Sequence, residues 1–284
     1  MTDAPSSFAA RLAAATATRP GLCVGIDPHP GLLTAWGLAD DATGLERFAR
    51  TVVAALADRV AVLKPQSAFF ERHGSRGVAV LETVIAEARA AGALVLVDAK
   101  RGDIGSTAAA YADAYLDPAS PLAGDAVTAS PYLGFGSLRP LFEAALAHGK
   151  GVFVLALTSN PEGAAVQRAV APDGRTVAGT VLDELAAINA GAVPFGSLGA
   201  VIGATVAGGV DHDLAKVNGP LLAPGLGAQG GRPEDLAAVF GPALPLVLPT
   251  YSREILQKGP DEDAVRASAD TVWRSCASVL GRSV

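Results

Sequence analysis

Residues 94–116 read LVLVDAKRGDIGSTAAAYADAYL. Leu94, Val95, Leu96 and Val97 form an apolar run with no polar break. Strands buried on both faces read this way, and parallel sheets are built from them. The strand, Leu94–Lys100, ends in charge at Asp98 and Lys100, and Asp103 follows three residues on. An Ala-rich helical pattern then covers Ser106–Ala114. Strand, polar strand end and helix together make one βα unit.

The unit recurs along the chain. Candidate strands lie at Leu22–Asp27, Val60–Gln66, Leu94–Lys100, Ala126–Pro131, Val152–Ser159, Gly199–Thr205, Leu221–Gly227 and Pro245–Tyr251. Helical patterns alternate with them at Gly44–Leu56, Gly77–Ala91, Ser106–Ala114, Ser137–Ala147, Val177–Asn189, His212–Val217, Pro233–Phe240 and Asp261–Val279. The last helix is strongly signalled: Pro260 precedes it, and Asp261, Glu262 and Asp263 lie where the helix dipole favours negative charge. Eight strands alternating with eight helices in 284 residues predict an α/β fold, a (β/α)8 TIM barrel forming a single domain over residues 1–284. A doubly wound open sheet is the competing architecture. Its first strand would run into GxGxxG, whereas DPHPG follows here. Pro161–Thr176 reads as a long βα loop of the kind that forms a lid. The opening residues, MTDAPSSFAARLAAATATRP, lack a basic stretch followed by a long apolar one. They read as a cytoplasmic start with an amphipathic helix over Ser7–Thr18.

Composition removes several classes of function. Half the residues are hydrophobic and the mean hydropathy is +0.35. No run approaches the roughly 18 apolar residues of a membrane span, and so apolar a chain has ample material for a core. A net charge of −6 opposes a broad nucleic-acid footprint, which would be basic. Cys23 and Cys276 form no disulfide framework and no CxxC site. The four histidines are dispersed, so neither a metal nor a cofactor is expected.

Polar residues gather at the C-terminal ends of the strands: Asp27, Lys64, Asp98 with Lys100, Ser130, Ser159 with Asn160, Thr205, Gln229 and Arg253. Barrel active sites are built on that face. Only five of the 22 basic residues are lysines, yet Lys64 and Lys100 both emerge from apolar runs. A lysine is seldom buried without a partner, so both predict nearby carboxylates. Asp98 and Lys100 are two apart and share a strand face. With Lys64 beside Asp98 on a neighbouring strand, an alternating Lys–Asp–Lys–Asp array results. The plainer reading is an ion-pair network at the barrel rim. Against it, crowding charges in a partly desolvated site is costly, and such clusters favour functional sites.

The seventh strand runs into LLAPGLGAQGGRPEDL, with glycine at 225, 227, 230 and 231. Such a loop is expected to leave backbone N–H groups open to a phosphate beside a helix N-terminus. Arg253, one strand later in PTYSREIL, adds a guanidinium suited to phosphate. The loops after strands seven and eight are the usual phosphate site of such barrels.

These residues resemble the orotidine 5′-phosphate decarboxylase family, in its longer bacterial branch. VDAKRGDIGSTAAAYADAYL is similar to the family's DxKxxD signature on the third strand. GIDPHP, LKPQSAFFERHG, SPYLG, TSNPEG, PGLGAQGG and YSREIL carry the resemblance in collinear order over almost the whole chain. Related phosphosugar barrels share DxKxxD. The combination with KPQSAFFE and GDIGST is specific. The resemblance departs at Ser130, where asparagine before the proline is commoner.

The resemblance implies a cofactor-free decarboxylation of orotidine 5′-phosphate in pyrimidine biosynthesis. Lys100 would protonate C6 after CO2 leaves, and Asp98 would lie against the substrate carboxylate. Lys64 would hold Asp98 and contact the ribose. Asp103 would complete the charge array in the partner subunit's site of a homodimer, with Thr107 binding a ribose hydroxyl there. Asp27 would bind a ribose hydroxyl, and Ser159 with Asn160 would meet the pyrimidine, with Ser130 as a further hydrogen-bonding group. Gln229, Gly230 and Arg253 would grip the phosphate, and Ile104 would line the apolar pocket near the departing carboxylate. Two alternatives stand beside this. A metal-dependent phosphosugar decarboxylase or aldolase would need a further acid on the second strand, which carries Lys64, Pro65 and Gln66, with Glu71 only further on. A non-catalytic phosphonucleotide-binding regulator would need a degraded array, and Asp98, Lys100 and Asp103 are all present.

Overall fold

The computed structural model describes residues 6–206 and 210–282. Eight parallel strands close into a barrel in sequence order, β8 returning to β1. They are β1 (Cys23–Ile26), β2 (Val62–Pro65), β3 (Leu94–Arg101), β4 (Ala126–Ala129), β5 (Gly151–Leu157), β6 (Leu198–Ile202), β7 (Leu221–Ala223) and β8 (Val247–Tyr251). The helices are α1 (Phe8–Thr18), α2 (Pro30–Ala35), α3 (Ala42–Leu56), α4 (Ser67–Glu71), α5 (Gly74–Ala90), α6 (Gly105–Leu116), α7 (Arg139–Ala147), α8 (Ala164–Gln167), α9 (Val177–Ile188), α10 (Pro233–Phe240), α11 (Arg253–Leu256) and α12 (Glu262–Leu280). No described helix is long and apolar enough to cross a membrane.

Strand periodicity sorts the core into two layers. Val95 and Val97 of β3 face outward and pack under the helices, while Leu94 and Leu96 face the barrel interior. The same alternation puts Cys23, Val62, Ala126, Phe153, Leu222 and Leu248 inside. One further step of two along β2, β3, β4 and β8 reaches Lys64, Asp98, Thr128 and Thr250. The apolar interior therefore gives way to a polar layer at the C-terminal end, and this layer is the floor of the site.

The N-terminal end is closed by α1. Ser7 caps it, its side chain accepting from the Ala10 N–H at 3.1 Å. Phe8 enters the barrel mouth edge-on to Phe153, with ring centroids 5.9 Å apart. Gly151 is required there, because a Cβ would stand 2.5 Å from the Phe8 ring. Truncating such a buried phenylalanine costs about 3–5 kcal/mol. The Ala9 N–H donates to Ser197 Oγ at 3.2 Å, and Arg11 pairs with the buried Asp125.

Several expected boundaries change. The segment expected as a helix over His212–Val217 is a single 3-10 turn, Leu214–Val217. Asp213 caps it, and Asn218 in the left-handed region ends it. The seventh strand is shorter than expected because Pro224 brings no N–H donor and Gly225 has φ +100. Residues before Val247 form a 3-10 segment, Gly241–Leu246, containing Pro245. Short helices α2, α4, α8 and α11, which the periodicity did not separate, sit between strands and outer helices. Pro161–Thr176 is itself structured, holding a 3-10 turn, α8 and a bridge from Val170 to Thr176.

Candidate active site

A cavity of about 310 Å³ opens at the C-terminal end of the barrel, at the small end of the roughly 300–1,000 Å³ of ligand sites. Its floor is Asp98. Oδ2 accepts from Lys64 Nζ at 2.9 Å, and Oδ1 accepts from Lys100 Nζ at 2.6 Å and from Thr128 Oγ1 at 2.8 Å. Oriented so that its amide nitrogen faces the carboxylate, Gln66 donates to Oδ2 while its oxygen accepts from Lys100 Nζ at 3.2 Å. Four donors thus engage a carboxylate with about four lone-pair sites.

The electrostatics follow from this arrangement. Burial alone would raise the Asp98 pKa, but Lys64 and then Lys100 outweigh it and hold the carboxyl far below its ordinary range. Burial also opposes the Lys64 ammonium, yet the charges of Asp98 and Asp27 lift its pKa above lysine's usual value. Beneath them the buried Cys23 thiol is pushed up to about 12, chiefly by desolvation, and is inert as a nucleophile. The two lysines differ in access. The Lys64 side chain is 6% exposed and that of Lys100 44%.

Lys100 reaches Asp98 by an unusual route. Its φ is +50°, a left-handed conformation costly to a residue with a Cβ. The β3–β4 register shifts between Val97 and Arg101. Thr128 Oγ1 accepts from the Lys100 backbone N–H at 2.9 Å while donating to Asp98. One hydroxyl therefore ties the bent backbone of the lysine to the carboxylate it faces.

The rest of the wall is mixed. Asp27 Oδ1 and Ser252 Oγ are buried without a hydrogen-bond partner among the described residues, and both side chains line the cavity. Arg253 lines it too, exposed and without an acidic partner among the described residues. His29 packs edge-on against Phe69 at 4.2 Å to complete an aromatic side. The glycine loop corrects the sequence-based expectation. The N–H groups of Gly227, Gly230 and Gly231 donate to the carbonyls of Gly231, Gly227 and Gly225, at 2.8, 2.7 and 3.0 Å. The Arg232 N–H, at the start of α10, goes to Asp235 at 2.8 Å. These glycines shape a closed ring, with positive φ at Gly225, Gly227 and Gly230, rather than offering those amides to a ligand.

Residues 20–268 match the family model described as Orotidine 5′-phosphate decarboxylase / HUMPS family. The chain is 68% identical over 274 residues to the orotidine 5′-phosphate decarboxylase of Salinispora arenicola, covering 96% of this chain and 98% of that protein. This chain belongs to the orotidine 5′-phosphate decarboxylase family. The family member from Streptomyces coelicolor is 64% identical over 263 residues, covering 93% of this chain and 94% of its own. A crystal structure from Streptomyces avermitilis matches with a TM-score of 0.95 and 61% identity, over 98% of this chain and 97% of that one.

Of the residues that the family resemblance singled out, Asp27, Lys64, Asp98, Lys100, Gln229 and Arg253 share the one cavity. Asp103, Ile104, Thr107, Ser130, Ser159, Asn160 and Gly230 stand outside its wall. Asp103 Oδ1 accepts from the adjacent Ile104 N–H at 2.8 Å, so within one chain the array is Lys64–Asp98–Lys100. Ser130 donates its backbone N–H to the Arg101 carbonyl at 2.8 Å. Asn160 is held within its loop by Thr158 and Glu162. Ser159 stands at the rim beside Gly203 and Gly225, and the cavity wall takes Thr158 instead.

The structure adds Gln66, Thr128, Thr158 and Ser252 to the site, residues that no charge marks in the sequence. Thr128 had a signal, being a polar residue on the inward parity of a strand beside Asp98. Among the described residues no three His, Cys, Asp or Glu side chains group to hold a metal. Glu71 accepts from Ser67 Oγ at 2.6 Å and pairs with Arg101, and so is not placed as the extra acid of a metal-dependent relative.

Proposed function

We propose that this chain decarboxylates orotidine 5′-phosphate to uridine 5′-phosphate, a step of pyrimidine biosynthesis, in the cytoplasm and without a cofactor. The observation that carries this reading is Asp98 held between Lys64 and Lys100 on the floor of a cavity that Arg253 also lines. The bond from C6 to the carboxylate breaks, CO2 departs and the electron pair stays on C6. Lys100 Nζ, the more accessible ammonium, stabilises that pair and then supplies the proton. Asp98, fixed by four donors, faces the substrate carboxylate and aims Lys100. Because Asp98 is held ionised, it serves as a fixed negative charge and not as the acid.

The remaining roles follow the unsatisfied groups. Asp27 Oδ1, buried without a partner among the described residues, accepts from a ribose hydroxyl, and Lys64 contacts the ribose beside it. Arg253 binds the phosphate with Gln229, and the adjacent Gly230, its own N–H taken by Gly227, turns the loop that carries Gln229 to it. Remote phosphate binding supplies energy to hold the ring over Lys100. Ser159 and Asn160 meet the pyrimidine from the rim, with Ser130 beyond them.

The chain works as a homodimer with shared sites. Ile104 is 61% exposed, Tyr132 79% and Leu133 53%, and the loops that carry them are joined where Ser130 bonds Arg101. An exposed apolar patch of this kind marks an interaction surface. A second copy seated there places Asp103, Ile104 and Thr107 at its partner's cavity. The test is spectrophotometric loss of orotidine 5′-phosphate by the purified chain, with and without a chelator. Turnover that survives chelation supports the reading. Turnover that requires a divalent metal, or binding without turnover, overturns it.

A further inference from the structure

We propose that Arg101 is the positioning residue that holds Lys100 in its left-handed conformation and thereby sets where its ammonium stands. This rests on the reading of Lys100 as proton donor. Lys100 gains nothing from φ +50° itself, so neighbouring contacts must maintain it. On its N-terminal side Thr128 holds the amide. On its C-terminal side stands Arg101, held through both its side chain and its carbonyl.

The Arg101 guanidinium pairs with Glu71 of α4 and donates to Tyr115 Oη of α6 at 3.0 Å. It lies 5.5 Å from the ring centroids of both Tyr111 and Tyr115, within reach of a cation–π attraction. Its carbonyl accepts from Ser130. Glu71 is in turn held by Ser67. Arg101 therefore links α4 to α6, and so the segment carrying Gln66 and Phe69 to the segment carrying Asp103 and Thr107. The arrangement is not optimised for stability, because Arg101 Nε is buried with no acceptor among the described residues, and an unsatisfied buried donor is costly. What the contacts secure is the position of residue 101, and through the peptide bond the backbone of residue 100.

The experiment measures kcat and KM for orotidine 5′-phosphate, Kd for uridine 5′-phosphate and Tm, in wild type, Arg101→Ala, Arg101→Lys and Tyr115→Phe. A misplacement near 1 Å costs on the order of 10²-fold in rate. Arg101→Ala is therefore expected to lose about 10–100-fold in kcat, with KM and Kd within about threefold of wild type. Arg101→Lys keeps a charge for Glu71 and is expected to recover part of the loss. Wild-type kcat in folded Arg101→Ala overturns the proposal, as does a loss shared equally by kcat, KM and Kd. Should Arg101→Ala fail to fold, Tyr115→Phe removes one hydroxyl only. A drop of about threefold or more in its kcat at constant KM supports the proposal, and an unchanged kcat overturns it. If wild type itself releases no CO2, the reading of the reaction falls and this proposal with it. If wild type is active and the variants equal it, this proposal alone falls.

Discussion

Lys100 Nζ lies 2.6 Å from Asp98 Oδ1, although the two residues share one strand and Lys100 bends out of it into the left-handed region. Asp98 also keeps Lys64 at 2.9 Å on its other oxygen. The carboxylate is thus paired twice, once by a buried cation and once by a half-exposed one. Removing either lysine has a different consequence from removing the acid.

Lys100→Ala leaves Asp98 paired with Lys64, Gln66 and Thr128. The variant is expected to fold, to bind uridine 5′-phosphate in calorimetry and to lose turnover altogether. Near-native CO2 release by it would remove Lys100 from the chemistry.

Asp98→Ala instead strands the Lys64 ammonium in a buried site. Breaking a buried pair from one side costs about 3–5 kcal/mol, so the denaturant midpoint is expected to fall well below that of Lys100→Ala. The pH dependence has a definite sign. The Asp98 pKa is lowered on folding, so its stabilisation is present above the unfolded value near 3.9 and is lost as pH falls through the folded value. Acid unfolding of Asp98→Ala should show a shallower loss than wild type over that range.

At the opposite end of the barrel Lys150 Nζ donates to the Gly124 carbonyl at 2.7 Å. Desolvation, with Arg89 nearby, lowers its pKa from the ordinary 10.5 to about 8. Between those values the unfolded chain binds more protons than the folded one, so Lys150 makes stability rise with pH in that window. Raised thiols such as Cys23 act in the opposite sense, so the comparison is by difference: from pH 7 to 10.5 the pH slope of stability is expected to be more positive in wild type than in Lys150→Met. Equal slopes would assign Lys150 an ordinary pKa.

Arg253→Ala removes from the cavity a guanidinium with no acidic partner among the described residues. KM is expected to rise strongly and kcat/KM to fall on the order of 10²-fold or more. An unchanged KM would take Arg253 out of the phosphate site.

Mixing inactive Lys100→Ala and Asp103→Ala chains tests the shared site. Hybrid dimers contain one site with both residues intact, so activity is expected to return in part. Silence after demonstrated subunit exchange would make Asp103 act within its own chain.

Much of this was legible in the chain because parity is legible. Leu94, Leu96 and Asp98 alternate with Val95 and Val97, and that pattern alone puts Asp98 at the top of the interior. Lys64 is found by the same count on β2. The route of Lys100 was not legible, since its φ is held by Thr128 and, in our proposal, by Arg101, and such contacts exist only once α4, α6 and β4 are assembled. The glycine loop misled for a related reason. Glycine spacing shows where a chain can turn sharply, but the acceptors of its N–H groups, such as the Gly225 carbonyl for Gly231, are decided by closure of the ring. Thr128 and Gln66 carry no charge and left no mark comparable to a lysine in an apolar run.

The plug at the barrel floor sets an order of events during synthesis. Phe8 and Ala9 find their partners at Phe153 and Ser197. At about 5–20 residues per second, the ribosome delivers Ser197 some 10–40 s after Ala9. Until Phe153 and Ser197 have both emerged, α1 holds Phe8 and Leu12 without their final cover. Helix α1 is thus seated only after more than half of the barrel strands have been made, and until then these two side chains are open to a holding chaperone.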